Sequence, residues 1–232
     1  MNILDIHTKT WNQILLDSIA PNLREKLGEP VLKGKISTIA SYWCKKYGFK
    51  SDCEVHVCSG DNPCSLIGLG LNRAGDVGIS LGTSDVLFGV TADPKPNAEE
   101  GSILIHPQNE NNYMMMLVYK NGATTRKHIR DLVHQDDKNW FKFNQSITKT
   151  PVGCNGEIGF YFIEKEITPN ISNCGVIKFD ANDEVFNDAS IKESDCRLII
   201  ESQAMSYKYH AQKLGLNDIS SILVTGNYIL NY

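Results

Sequence analysis

The run Cys53-Glu54-Val55-His56-Val57-Cys58 reads as a buried strand, and it leads directly into Ser59-Gly60-Asp61-Asn62-Pro63. A strand that ends in glycine and an acidic residue puts polar groups just beyond its carboxyl end, where open α/β sheets hold their ligands. Pro63 then suits the first turn of a helix, and residues 63–71, rich in small side chains, read as one that packs closely. Further on, Ser80-Leu81-Gly82-Thr83-Ser84-Asp85 places a glycine turn with two hydroxyls between two apolar segments. A chain carrying both features is constrained to a strand-turn-helix unit followed by a meander.

The rest of the chain fits that frame. Residues 10–19 carry Trp11, Ile14, Leu15 and Ser18 at helical spacing, and Pro21 can open a further turn through Leu27. Residues 37–47, with Ile39, Tyr42 and Trp43 on one side and Gly48 as the stop, read as an amphipathic helix. After Asn72-Arg73-Ala74-Gly75-Asp76 strands dominate, at 77–81, 85–90 and 113–119, with a polar loop over 93–101. A basic helix follows over 124–133, then a helix over 137–147, a strand over 159–162 and a polar run over 170–188 that reads as an insertion. The longest helix spans 189–214, ended by Gly215, and Ser221 to Gly226 reads as a parallel-sheet strand ending in glycine. The change of pattern places a domain boundary near residue 75, giving segments 1–74 and 75–232.

Composition narrows the class. The 232 residues are 41% hydrophobic and 22% charged, which permits one large domain or two smaller ones. A net charge of -4 argues against a nucleic-acid partner, because such proteins carry a basic face to neutralise phosphates. The first residues, Met1 to His7, have no basic leader, and no stretch reaches the run of about eighteen apolar residues that a membrane span needs. The seven cysteines include no CxxC pair, so they read as reduced thiols of a cytoplasmic protein and supply no zinc site.

Among the residues able to carry chemistry, Asp61 comes first. A carboxylate on that turn can accept the proton of an attacking hydroxyl, and it can equally cap the helix that follows. Gly82, Thr83 and Ser84 offer amides and hydroxyls able to wrap phosphates, although such tripeptides also make ordinary hairpin turns. No GxxxxGK[ST] sequence is present. Gly226 could let a purine approach the backbone, or simply end its strand. Trp140 could line a base pocket, or pack in the core. Met114-Met115-Met116 reads as strand interior, and Arg126, Lys127, His128 and Arg130 as a solvated helix face.

Several of these runs, in order along nearly the whole chain, resemble the FGGY carbohydrate kinase family, and within it the eukaryotic kinases of D-xylulose. They are Met1-Asn2-Ile3-Leu4-Asp5-Ile6, Gly60-Asp61-Asn62-Pro63, Ser80 to Asp85, Lys120-Asn121-Gly122, Gly159-Phe160-Tyr161-Phe162 and Glu166-Ile167-Thr168-Pro169. The resemblance implies an α/β chain of the ribonuclease H-like, actin-like ATPase fold, with sugar on the first domain (1–74) and ATP with Mg2+ on the second (75–232). It implies that Asp61 is the general base, that Asp61 and Asn62 contact the sugar, and that Gly82, Thr83 and Ser84 hold ATP phosphates. Trp140 and Gly226 then lie at the nucleotide, and Mg2+ is carried by the phosphates. The implied reaction converts D-xylulose to D-xylulose 5-phosphate.

The chain also departs from the family. The family's adenosine motif has two glycines, whereas this chain has Gly226-Asn227-Tyr228, and the front of the first domain is not represented. Both domains are therefore expected to be incomplete, with little or no activity in the isolated chain. Two other readings remain at this point: a non-catalytic remnant that binds a nucleotide or a partner, and a kinase for another polyol or ketose.

Overall fold

Two apolar segments, Asp85–Thr91 (β4) and Tyr113–Tyr119 (β6), pair antiparallel at the centre of a five-stranded sheet. The computed structural model describes residues 3–135, 140–186 and 190–226. Before the sheet come Gln13–Ile19 (α1), Leu23–Leu27 (α2), Lys35–Thr38 (β1), Ser41–Tyr47 (α3), Glu54–His56 (β2) and Asp61–Gly68 (α4). Asp76–Leu81 (β3) and Ser102–Ile105 (β5) complete the antiparallel part of the sheet, followed after β6 by the helices Ala123–Val133 (α5) and Phe141–Lys149 (α6). A hairpin of Ile158–Phe162 (β7) and Gly175–Phe179 (β8) precedes the long helix Asp195–Lys213 (α7) and the strand Ser221–Thr225 (β9).

Alternation along the strands decides which face each side chain joins, because successive residues of a strand point to opposite sides. Leu87, Met115, Leu117 and Tyr119 pack with Tyr207 and Ala211 of α7, and with Leu214 just beyond its end, on one side. Their neighbours Phe88, Val90 and Met114 pack with Leu66 of α4 and with Leu71 on the other. The sheet is thus sandwiched between α7 and α4. A third cluster, built from Ile129, Trp140, Phe143, Cys154, Tyr161, Cys196, Leu198 and Ile199, joins α5, α6 and β7 to the first half of α7.

The sheet order is β5-β6-β4-β3-β9, and β9 runs parallel to β3 with Ser80 opposite Thr225. That is the parallel terminal strand the sequence predicts. Ile222, Leu223 and Val224 of this strand stay exposed.

Other expectations need correction. The run 53–58 is not a buried strand: β2 is exposed along its length and, among the described residues, pairs only with β1. A two-stranded ribbon has no further strand or layer to cover it, so its side chains remain in solvent. That pairing also takes residues 37 and 38 into β1, and the predicted helix starts only at Ser41. The polar run 170–188 contains β8, held by five paired positions against β7. The predicted helix starts at 137 and 189 lie outside the described residues; the helices seen there begin at Phe141 and Asp195. Among the described residues no helix is long and apolar enough to cross a membrane.

Two thiols lie inside the third cluster. Burial, reinforced by the Glu201 carboxylate, pushes the Cys154 thiol up to about 12, and burial with Asp195 nearby pushes Cys196 up to about 12. Reaction with a maleimide needs an accessible thiolate. In the native protein at pH 7.5 (~1 unit below an ordinary thiol), exposed Cys58, Cys64 and Cys174 should label rapidly, and Cys154 and Cys196 only after unfolding. Mass mapping of labelled peptides checks this; early labelling of Cys196 would contradict the packing described.

Candidate functional site

The turn between β3 and β4 is closed by the pair Leu81–Asp85, which leaves Gly82, Thr83 and Ser84 as its three loop residues. Thr83 is exposed and its two neighbours are half-buried. The turn is fastened from behind: the Ala123 amide donates to the Gly82 carbonyl at 3.1 Å and the Thr124 amide to the Thr83 carbonyl at 3.4 Å. The Thr124 hydroxyl also donates to the Thr83 carbonyl, at 3.3 Å. The start of α5 therefore clamps the turn.

The parallel register of β9 delivers Gly226 to the same place. Gly226 has φ +112°, and a Cβ there would meet the Leu81 carbonyl oxygen at 2.1 Å, so the close approach admits only glycine. Gly82, Thr83, Ser84 and Gly226 thus come together from two segments far apart in sequence.

Behind the turn lies a buried polar network. Asp85 receives both arms of Arg126, Nη1 to Oδ2 at 2.6 Å and Nη2 to Oδ1 at 3.0 Å, and the Tyr207 hydroxyl donates to Oδ2 at 2.6 Å. Burial, together with the Asp85 carboxylate, holds the Tyr207 phenol well above its ordinary range, so it stays a neutral donor. Gln203 joins on, accepting from Arg126 at 2.8 Å and donating to the Asn121 carbonyl at 2.7 Å. Gly122 leaves room for this: a Cβ there would sit 2.7 Å from the Asp85 nitrogen.

The network extends to Glu166, whose carboxylate accepts from the backbone amides of Lys120 (2.6 Å), Asn121 (3.0 Å) and Ile167 (2.7 Å) and from the Asn121 side chain (2.9 Å). Three of the runs singled out in the sequence, 80–85, 120–122 and 166–169, are therefore one hydrogen-bonded unit.

Asp61 and Asn62 open α4. The cap residue is Gly60, and no side chain caps the helix. The Asp61 carboxylate is exposed and, among the described residues, accepts only from its neighbour's amide, Asn62 N–H to Oδ1 at 2.8 Å, so it is not consumed as a cap. Beside it, Ser59, Pro63 and Cys64 line one wall of a cavity of about 790 Å3 whose other wall is formed by Ile103, His106 and their neighbours.

Trp140 is only 8% exposed, stands edge-on to Phe143 and carries the Arg130 guanidinium 4.7 Å from its ring centre. The fold places it in the third core cluster rather than in the 82–84 turn. The reading of Arg126 and Arg130 as a solvated face is overturned: they are buried, while Lys127 and His128 are exposed. Helical spacing carried that signal, since 126, 129 and 130 share a face with Ala123 and Ile129 is core.

Architecture of this kind is the actin-like ATPase fold of sugar kinases. Xylulose kinase from Bifidobacterium adolescentis superposes with a TM-score of 0.76 at 18% identity, covering 99% of this chain and 46% of that one. No protein-family model matches the chain. In sequence it is 42% identical to xylulose kinase of Rattus norvegicus over 229 residues, 97% of this chain and 41% of the rat protein. It is 36% identical to xylulose kinase 2 of Arabidopsis thaliana, over 93% of this chain and 40% of the plant protein. The chain is a homologue of the xylulose kinases of the FGGY family, and it spans about two fifths of the length of the curated relatives it matches.

The buried pair gives a stability prediction. Removing one partner of a buried ion pair leaves the other charge uncompensated, which costs about 3–5 kcal/mol. Asp85→Ala should lose that much in urea unfolding, and Asp85→Ala with Arg126→Met should lose less than the two single changes added together. Additive losses would show that the pair does not act as a unit.

Proposed function

We propose that the chain is the part of a carbohydrate kinase that carries the general base and the phosphate turn, and that the whole protein phosphorylates D-xylulose with ATP in the cytoplasm. The observation that carries this reading is the state of Asp61, an exposed carboxylate that opens a helix without capping it and lies in the chain between Ser59 and Pro63, which line a cavity. The identity with the rat and plant xylulose kinases supports the choice of sugar.

In this reading residues 1–74 lie on the sugar side and 75–232 on the nucleotide side. Asn62 and Asp61 hold the sugar, and Asp61 accepts the proton of the attacking hydroxyl as its oxygen bonds to the γ-phosphorus. The bond from that phosphorus to the bridging oxygen breaks, leaving ADP and D-xylulose 5-phosphate. The amides and hydroxyls of Gly82, Thr83 and Ser84 hold the phosphates. The hydroxyls of Thr83 and Ser84 have no protein partner among the described residues, as a phosphate cradle requires. Gly226, and Trp140 from within the third core cluster, are assigned to the nucleotide side of the site. Mg2+ is carried on the ATP phosphates, where it offsets their charge.

Because the chain spans 41% of the rat relative, the test supplies the remaining segments from that protein in a chimaera, with the 232-residue chain alone as comparison. The chimaera should release ADP in the presence of D-xylulose and form the 5-phosphate. Asp61→Asn should lower kcat by about 10²–10⁴ while ATP affinity is kept. A variant that turns over normally would remove Asp61 from the role of base, and preference for another ketose or polyol would change the substrate.

A further inference from the structure

The peptide planes of the 82–84 turn bear directly on how it could hold a phosphate. In a trans peptide the carbonyl and the following N–H point in opposite directions. The Gly82 and Thr83 carbonyls both face the start of α5, where Ala123 and Thr124 donate to them. The Thr83 and Ser84 N–H groups must therefore face away from the helix, and neither has a partner among the described residues. Two adjacent amides directed outward form a concavity suited to anionic oxygens. Were the planes to flip, the carbonyls would face the ligand and repel it.

What keeps the planes in this state is the seating of α5. Arg126 lies one turn beyond Ala123, and its two-armed bond to Asp85, the residue that closes the turn, ties the helix start to the hairpin. Gly122 packs against the same carboxylate with no room for a Cβ. Tyr207 and Gln203 of α7 hold the pair from behind.

We infer that Arg126 and Asp85 are positioning residues for the phosphate turn: through the start of α5 they fix the Thr83 and Ser84 amides in the outward, phosphate-accepting orientation. This rests on the reading of the turn as an ATP phosphate cradle. Neither residue is placed in contact with the nucleotide. Arg126 is 3% exposed, and its guanidinium is engaged by Asp85 and Gln203.

The test is an NMR titration of the nitrogen-15-labelled 232-residue chain with MgATP and, separately, with adenosine, following the Thr83 and Ser84 amide signals. In the wild type these signals should move with MgATP and stay in place with adenosine. Arg126→Lys, which keeps the charge but loses the fork, should raise the MgATP midpoint about tenfold. Thr124→Val removes a hydroxyl at the edge of the clamp without touching the buried pair, and should raise the midpoint a few-fold, so the test survives if the arginine variant fails to fold. A merely structural role would lower the melting temperature and leave the midpoint unchanged. If the wild type responds to MgATP and the folded variants keep its midpoint, the positioning role is wrong and the cradle stands. If the wild-type amides ignore MgATP, the cradle reading falls and this inference with it.

Discussion

The bidentate contact between Asp85 and Arg126 is the point at which the separate parts of this protein meet. It joins the hairpin of β3 and β4 to α5, and through Tyr207 and Gln203 it reaches α7, which covers the sheet with Tyr207 and Ala211. A buried pair of this kind contributes little net stability over a well-packed apolar substitute, but it is costly to break and it specifies geometry. Apolar packing alone would let α5 slide along its contacts. A planar fork matched to one carboxylate does not.

The same principle recurs where polar groups enter the third cluster. Lys178 reaches the Asp195 carboxylate at 3.2 Å, and the Tyr161 hydroxyl donates to the same group. Asp195 is the first residue of α7 and also accepts the Lys192 amide at 2.6 Å, so this cluster fixes where the helix begins. At the far end, Glu100 contacts His210 and Lys213. Burial pushes the Glu100 carboxyl up, but its contacts with Lys213 and His210 outweigh it and hold it below its usual range. The long helix is thus pinned at both ends by carboxylates, with an apolar interface between them.

Much of the second half of the chain was legible in its sequence because alternation in β4 and β6, and the glycine stops, are local signals. The strands 77–81, 85–90 and 113–119 differ from those observed by a residue at most at each end. Legibility fell where a partner decides the outcome. The first residues of the predicted helix 37–47 join β1 because Glu54–His56 pairs with them, and nothing within the segment announces that partner. In the candidate site, the convergence of Gly226 with the 82–84 turn follows from a parallel register that no local pattern encodes. The buried arginines were readable from helical spacing, and were hidden by the neighbouring exposed Lys127 and His128.

The parallel pairing of β9 with β3 has a consequence for the order of assembly. Ser221 and Asp76, bonded side chain to side chain, are 145 residues apart, and the antiparallel strands can pair long before that loop closes. Closing so long a connection is among the slow events of folding. During synthesis the hairpin, α5 and α7 are all made before β9, so the outer edge of β3 waits uncovered beside its finished neighbours. The glycine that meets Leu81 arrives after the turn beside it has been made, onto a surface that is already shaped to receive it.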